Sequence, residues 1–211
     1  MDKKKFIEQY FPIIKKVGTA EKVSDVIMVT CLTQAAIESG FASSALMVKA
    51  NALFGIKATD KYKGKVYSSA TKEVYSGLTV TTKALFRAYD NVEDSIKDYF
   101  KLLKSKRYEK CLEAKTVPEA INIIANSGYA TDINYAIKCI KVYDTFIKGS
   151  ISLLKLGVDT VNADVSDEEI TKLAYDVIAG KYGNGEARKK ALGTNYVAVQ
   201  HKVNILLRGG K

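Results

Sequence analysis

The run EKVSDVIMVTCLTQAAIES brings Val23, Ile27, Cys31, Gln34 and Glu38 onto one stripe at helical spacing, and Gly40 supplies a stop. This predicts a helix with one face toward a core, and it puts a carboxylate on that face. A shorter helical stretch at 44–48 leads into NALFGIKA. The pattern then changes. KGKVYSSATKEVY and LTVTTKALFRAY are rich in Val, Thr and Tyr and flank Ser76-Gly77, which predicts a β-hairpin or small sheet. Helical spacing returns in VEDSIKDYFKLLK. Another helix is predicted in TVPEAINIIANSG, where Thr116 and Glu119 have capping-box spacing and Gly128 is a stop. A third, DINYAIKCIKVYDTFIK, offers Ile133, Ala136, Ile137 and Ile140 as apolar positions. The fold class is therefore mainly α, of α+β type, with one β excursion, and the first domain is read as residues 1–148.

Periodicity fades across 149–165, where Gly149, Ser150, Gly157, Asp159 and Asn162 mark a linker. It restarts in SDEEITKLAYDVIAG, with Ser166 as N-cap, Glu169 three residues into the helix and Gly180 as stop. Two further helical pieces, at 186–192 and 196–207, complete a second domain at 166–211. Three short helices of this length fold alone only as a compact three-helix bundle, near the lower size limit for a domain.

Composition narrows the chemistry. The chain has 211 residues, 47% apolar, enough for one good core and a small second module. Its formal net charge of +10 implies attraction to polyanions such as nucleic acid, anionic lipid or the teichoic acids of a bacterial wall. A nucleic-acid binder would need a recognition helix dense in Arg, Lys, Asn or Gln, and none is evident. Cys31, Cys111 and Cys139 lie in apolar helical patterns without CxxC spacing, so they read as reduced core thiols. One histidine, His201, with scattered cysteines does not make a zinc site. MDKKKFIEQYFPII lacks a signal-peptide h-region, and no segment approaches the roughly 18 apolar residues of a membrane span. The expectation is a protein made in the cytoplasm, without membrane insertion, that meets any extracellular target after release.

Glu38 is the candidate for chemistry. A carboxyl on a core-facing stripe, at the negative end of a helix dipole, has its pKa raised by both effects and keeps a proton to donate near neutrality. Glycosidic bond cleavage needs such a donor on the leaving oxygen, opposite a second carboxylate or the substrate's own group. Asp60, Glu73, Asp90 and Glu93 are candidates for that partner, and Glu73, on the extended segment TKEVY, is preferred. The structural alternative for Glu38 is a core-edge carboxylate bound by backbone or by Arg87.

QAAIESGFASSALMVKANALFGIKA, followed by FRAYDNVEDSIKDYFKLL and RYEKCLEAKTVPEAINIIANSGYATDINYA, resembles the bacterial endo-β-N-acetylglucosaminidases of glycoside hydrolase family 73. The resemblance implies a lysozyme-like fold in which a small β-lobe borders a cleft. It implies Glu38 as the catalytic acid and Glu73 as the second carboxylate, with Asn51, Phe54, Tyr129 and Tyr135 at the substrate cleft. Two departures stand out: Phe41-Ala42 where the family usually has Trp-Gly, and Ala52 where it has a second Asn. DVIAGKYGNGEARKKALGTNYVAVQHKVNILL is similar to the Cpl-type cell-wall-binding repeat, CW_7. That similarity implies Asp176, Tyr182, Arg188 and Gln200 as wall-binding residues; an internal Arg188–Asp176 ion pair is the alternative.

Together the resemblances imply a peptidoglycan hydrolase of the endolysin or autolysin kind. It would cut the β-1,4 bond between N-acetylglucosamine and N-acetylmuramic acid, tethered by its C-terminal repeat. Its partners are then the glycan strand and muropeptide of bacterial peptidoglycan, with anionic wall polymers in addition, and no cofactor or metal is required. A muramidase or lytic transglycosylase on the same fold is the neighbouring reading, and an inactive wall-binding protein a third.

Overall fold

The computed structural model describes residues 1–75, 78–153 and 167–208. At 71–75, 78–81, 152–153, 167–168, 194, 197–198, 201, 205 and 208 the backbone alone is described. The chain divides into two compact units, Met1–Val158 and Asp159–Lys211.

The first unit opens with a helix that the hydropathy pattern did not announce, α1 (Lys3–Ala20). Asp2 caps it by accepting from the Lys4 and Lys5 amides at 3.0 and 3.2 Å. Phe6, Ile7, Tyr10, Phe11, Ile14 and Val17 form its buried face. Pro12 lies inside the helix, where it removes one backbone donor. Gly18 is a point of close approach: a Cβ there would come within 2.6 Å of Met28 on the next helix.

That next helix, α2 (Asp25–Glu38), starts four residues later than the sequence reading, behind Ser24 as N-cap. Every residue from Ile27 to Ala36 is buried, so α2 is a central helix and the single-stripe reading is corrected. Its polar side chains are accommodated by bonding back along the helix: Thr30 donates to the Val26 carbonyl at 2.7 Å and Thr33 to that of Val29 at 2.8 Å.

Beyond α3 (Ala45–Ala50) come β1 (Val66–Tyr75) and β2 (Leu78–Arg87), an antiparallel pair in register from Val66 with Arg87 to Tyr75 with Leu78. The predicted hairpin is present; its Ser76-Gly77 connection lies outside the described residues. The base of the hairpin is pinned. The Ala58 amide donates to the Leu85 carbonyl and the Arg87 amide to that of Ile56, each at 2.8 Å, and the Phe86 ring is buried. The Arg87 guanidinium donates to both Asp98 oxygens at 3.0 and 2.9 Å, with the Tyr62 ring against it.

Asp98 belongs to α4 (Val92–Leu103), which buries Ile96, Tyr99, Phe100 and Leu103. In α5 (Val117–Asn126) the Glu119 amide donates to Thr116 Oγ1 at 3.3 Å, while the Glu119 carboxylate accepts from the Lys115 amide at 2.8 Å, one residue before the cap. The following helix, α6 (Tyr135–Val142), buries Tyr135 and Cys139. Ile133 precedes it and is almost fully exposed, and Ile137 is partly exposed, so the predicted apolar stripe was out of phase. A π-helical turn, Tyr143–Ile147, rotates the chain into α7 (Lys148–Leu153), where Ile151 is buried. Residues 149–153, read as the start of a linker, are thus helical, and Ile151 joins the first core. Residues 154–166, with the proposed Ser166 cap, lie outside the described residues.

The second unit contains α8 (Asp167–Ile178), α9 (Gly185–Leu192) and α10 (Tyr196–Arg208) around Ala174, Val177, Leu192, Val199 and Val203. It is the three-helix arrangement that the spacing predicted.

Candidate active site

Glu38 is the last residue of α2, with Ser39 as C-cap. The chain leaves through Gly40, Phe41 and Ala42 with φ of 57°, 54° and 60°, three consecutive left-handed residues. This reversal is held by Ser39, whose hydroxyl donates to the Ala35 carbonyl at 2.6 Å and accepts from the Ala42 amide at 2.8 Å. The Phe41 ring packs edge-on against Phe6 and Phe146, with the Lys3 ammonium 3.5 Å from the Phe146 centroid. Ala42 occupies a left-handed position that glycine adopts without strain. Ala42→Gly is therefore expected to raise stability by about 1 kcal/mol, seen as a higher urea midpoint at unchanged slope. A lower midpoint would show that the Cβ contributes packing that outweighs the strain.

The Glu38 carboxyl is largely removed from water, and its pKa is raised by burial against an opposing hydrogen bond from Tyr135. Tyr135 donates its hydroxyl to Glu38 Oε1 at 2.6 Å. Tyr129 stacks on Tyr135 at 5.7 Å between centroids, and its hydroxyl donates to the Phe54 carbonyl at 3.4 Å. The result is a partly buried carboxyl at a helix end, beside aromatic rings and without a basic partner among the described hydrogen bonds. Such a group donates a proton more readily at neutral pH than an exposed glutamate does.

Other expected residues fall elsewhere. Arg87 is committed to Asp98 and does not hold Glu38. The Phe54 ring is only 2% exposed, stacked at 4.1 Å on Tyr99; it is a core residue, which corrects its assignment to the cleft. Asn51 is left-handed at the end of α3, and its amide donates to the Tyr89 and Asp90 carbonyls at 3.1 and 3.2 Å. It clasps the chain leaving β2. Tyr135, 6% exposed, acts on Glu38 and offers no sugar platform, because its hydroxyl is engaged and its ring covered. Tyr129 is half-buried. Asp90 is paired with Lys65. Glu73 lies opposite Val80 in the hairpin, and its side chain is outside the described residues. Sequence reasoning missed Tyr99 and gave Gln34 no role, though the four-residue spacing between Gln34 and Glu38 was a usable sign.

The cysteines are free and buried. Burial pushes the Cys111 and Cys139 thiols up to about 11 and about 12 and Cys31 well above its ordinary value, so all three stay protonated at neutral pH. Among the described residues no group of three His, Cys, Asp or Glu side chains could hold a metal, and no helix is long and apolar enough to cross a membrane. A hollow of about 390 Å³ lined by Tyr62, Tyr89, Lys97 and Lys101, among others, does not include Glu38.

In the second unit Arg188 is turned inward. It donates to the Gly183 carbonyl at 2.9 and 2.7 Å, to Asn184 Oδ1 at 2.7 Å and to Gln200 Oε1 at 3.0 Å. Asp176 pairs with Lys181, so the alternative Arg188–Asp176 bridge is not formed. Arg188 and Gln200 are brought together; Tyr182 packs against the small core.

A desolvated carboxyl closing a central helix, in a mainly α domain with one hairpin, is the lysozyme-like arrangement. The chain belongs to the family described as mannosyl-glycoprotein endo-beta-N-acetylglucosaminidase, whose profile matches residues 14–148; the CW_7 repeat profile matches residues 171–207. It is 34% identical over 148 residues to the exo-glucosaminidase LytG of Bacillus subtilis (strain 168), covering 66% of this chain and 51% of LytG. It is 37% identical over 112 residues to the peptidoglycan hydrolase FlgJ of Salmonella typhimurium, covering 51% of this chain and 35% of FlgJ. The chain thus spans about half of the first relative and about a third of the second. A mutant peptidoglycan hydrolase from Sphingomonas sp. A1 superposes with a TM-score of 0.63 at 28% identity, covering 71% of this chain and 99% of that one.

Proposed function

We propose that this protein is a peptidoglycan hydrolase whose first unit cleaves the β-1,4 bond between N-acetylglucosamine and N-acetylmuramic acid, and whose second unit tethers it to the wall. The observation that carries this reading is the Glu38 carboxyl at the end of the central helix, its pKa raised by burial and its Oε1 held by the Tyr135 hydroxyl at 2.6 Å. As the bond to the leaving sugar lengthens, Glu38 transfers its proton to the departing oxygen. Positive charge growing on the sugar is met from the other side by a second carboxylate, for which Glu73 is the candidate, or by the substrate's own N-acetyl group, and water then adds to the anomeric carbon, its proton restoring the acid. The CW_7 match and the names of LytG and FlgJ support peptidoglycan as the substrate. A tether raises the local concentration of bonds to cut, and the net charge of +10 adds attraction to anionic wall polymers.

Digestion of purified peptidoglycan tests the proposal. New reducing ends on N-acetylglucosamine are expected. N-acetylmuramic acid ends would identify a muramidase, anhydro ends a lytic transglycosylase, and no soluble product an inactive binder. Fragment lengths separate internal cutting, as the family description implies, from release at chain ends, as LytG's name states.

A further inference from the structure

Glu38 stands at the end of a buried chain of hydrogen bonds that reaches back beyond Tyr135. Tyr99, on α4 and 0% exposed, donates its hydroxyl to Gln34 Oε1. Gln34, one turn before Glu38 on α2 and equally buried, donates its amide to the Tyr135 hydroxyl oxygen at 2.8 Å. Tyr135 then donates to Glu38 Oε1 at 2.6 Å. A hydroxyl can donate or accept, but an amide nitrogen only donates and an amide oxygen only accepts. With the Tyr99 proton on Gln34 Oε1, the Gln34 amide must face Tyr135, and the Tyr135 proton has Glu38 as its acceptor. If Gln34 were reversed, its oxygen would capture the Tyr135 proton, and Tyr135 would instead need a proton from Glu38.

We propose that Gln34 and Tyr99 are positioning residues for the acid: they set the direction of the Tyr135 hydroxyl, so that Glu38 carries its transferable proton on Oε2. This rests on the reading of Glu38 as the proton donor. The relay works hardest once the proton has left, because the Tyr135 hydroxyl then steadies the negative charge developing on Oε1. Its effect belongs to kcat and to the titration of Glu38, and binding of the glycan is untouched. Among the described residues, the titratable groups facing Glu38 are Tyr135 and Cys139 from α6 and Tyr129 from the turn after α5. Burial raises all three, so they stay neutral while Glu38 titrates.

The test is a kcat–pH profile on soluble peptidoglycan fragments for the full-length parent, Tyr99→Phe, Gln34→Leu, Tyr135→Phe and the double variant Tyr99→Phe/Tyr135→Phe, each checked for folding by near-ultraviolet circular dichroism. Tyr99→Phe keeps the ring and removes one oxygen. It is expected to lower kcat about tenfold at unchanged KM. Because the Tyr135 hydrogen bond holds the Glu38 pKa down, loosening it should also move the high-pH limb upward. Once the Tyr135 hydroxyl is absent, removing that of Tyr99 should add no further shift. A slower Tyr99→Phe enzyme whose limb has not moved would overturn the relay, as would an equal shift in the Tyr135→Phe background. Glu38→Gln run in parallel separates the two ideas: full activity there overturns the acid itself, whereas an inactive Glu38→Gln with an unmoved Tyr99→Phe profile overturns the relay alone.

Discussion

Glu38→Gln is expected to cut hydrolysis of purified peptidoglycan by about a hundredfold to ten-thousandfold, the range associated with loss of a positioned general acid. The amide preserves the shape of the side chain and leaves Oε1 able to accept from Tyr135, so folding should survive. The pH dependence has a definite sign. The folded pKa of Glu38 lies above its ordinary value because burial disfavours the carboxylate. Activity is therefore expected to persist above the pH at which an exposed glutamate ionises, and to fall as pH rises through the folded pKa. Stability follows the same linkage. As pH climbs past the unfolded pKa, the unfolded chain releases this proton while the folded protein keeps it, so the parent loses stability until the folded pKa is passed. Glu38→Gln removes that loss, and should equal or exceed the parent in stability at neutral pH. The advantage should vanish in acid, below the unfolded pKa. Denaturant melts at acidic and neutral pH measure this directly; a variant less stable than the parent at neutral pH would contradict a desolvated carboxyl.

The second large effect is structural. Phe54→Ala is expected to destabilise the first unit by about 3–5 kcal/mol, the usual cost of emptying a buried aromatic site. For a unit of this size that lowers the melting temperature by roughly 10 °C. The Phe54 ring is buried and stacked on Tyr99 at 4.1 Å, so its loss opens a void beside the residue that orients Gln34. Phe54→Leu, which refills part of the space, should recover much of the loss. Calorimetry on the full chain decides it: a shift of a degree or two would mean the ring is not part of the core, and the cleft assignment would have to be reopened. Because the ring lies inside, the conservative variant should leave KM for soluble glycan fragments unchanged, an outcome that a sugar-contacting residue would not give.

Local signals carried much of the architecture. Ser76-Gly77 between two Val- and Thr-rich runs located the hairpin, and the Thr116–Glu119 spacing found the start of α5, because turn and cap chemistry is decided within a few residues. Glu38 was visible for a related reason: a carboxylate in an apolar helical run is costly without a purpose. Helix α1 escaped notice. Its charged first turn and internal Pro12 obscure a face of Phe6, Tyr10, Phe11 and Ile14 that becomes meaningful only when packed on the central helix. The phase of α6 was misjudged similarly. Ile137 is the more hydrophobic choice, yet Tyr135 is buried, since its hydroxyl meets the polar groups of Gln34 and Glu38 while its ring stacks on Tyr129.

By itself the sequence determined what depends on near neighbours and on chemical type: the hairpin, the Thr116 cap, the three-helix module and the carboxylate of Glu38 in an apolar helical run. Tertiary structure alone decided which groups meet. Tyr99 and Gln34 are 65 residues apart, and Gln34 and Tyr135 are 101 apart, so no local periodicity could report their alignment. The same holds for Arg87 choosing Asp98 over Glu38, and for Phe54 turning inward. Hydrogen bonds between distant residues form only where packing has already fixed both ends, and packing is a property of the whole core.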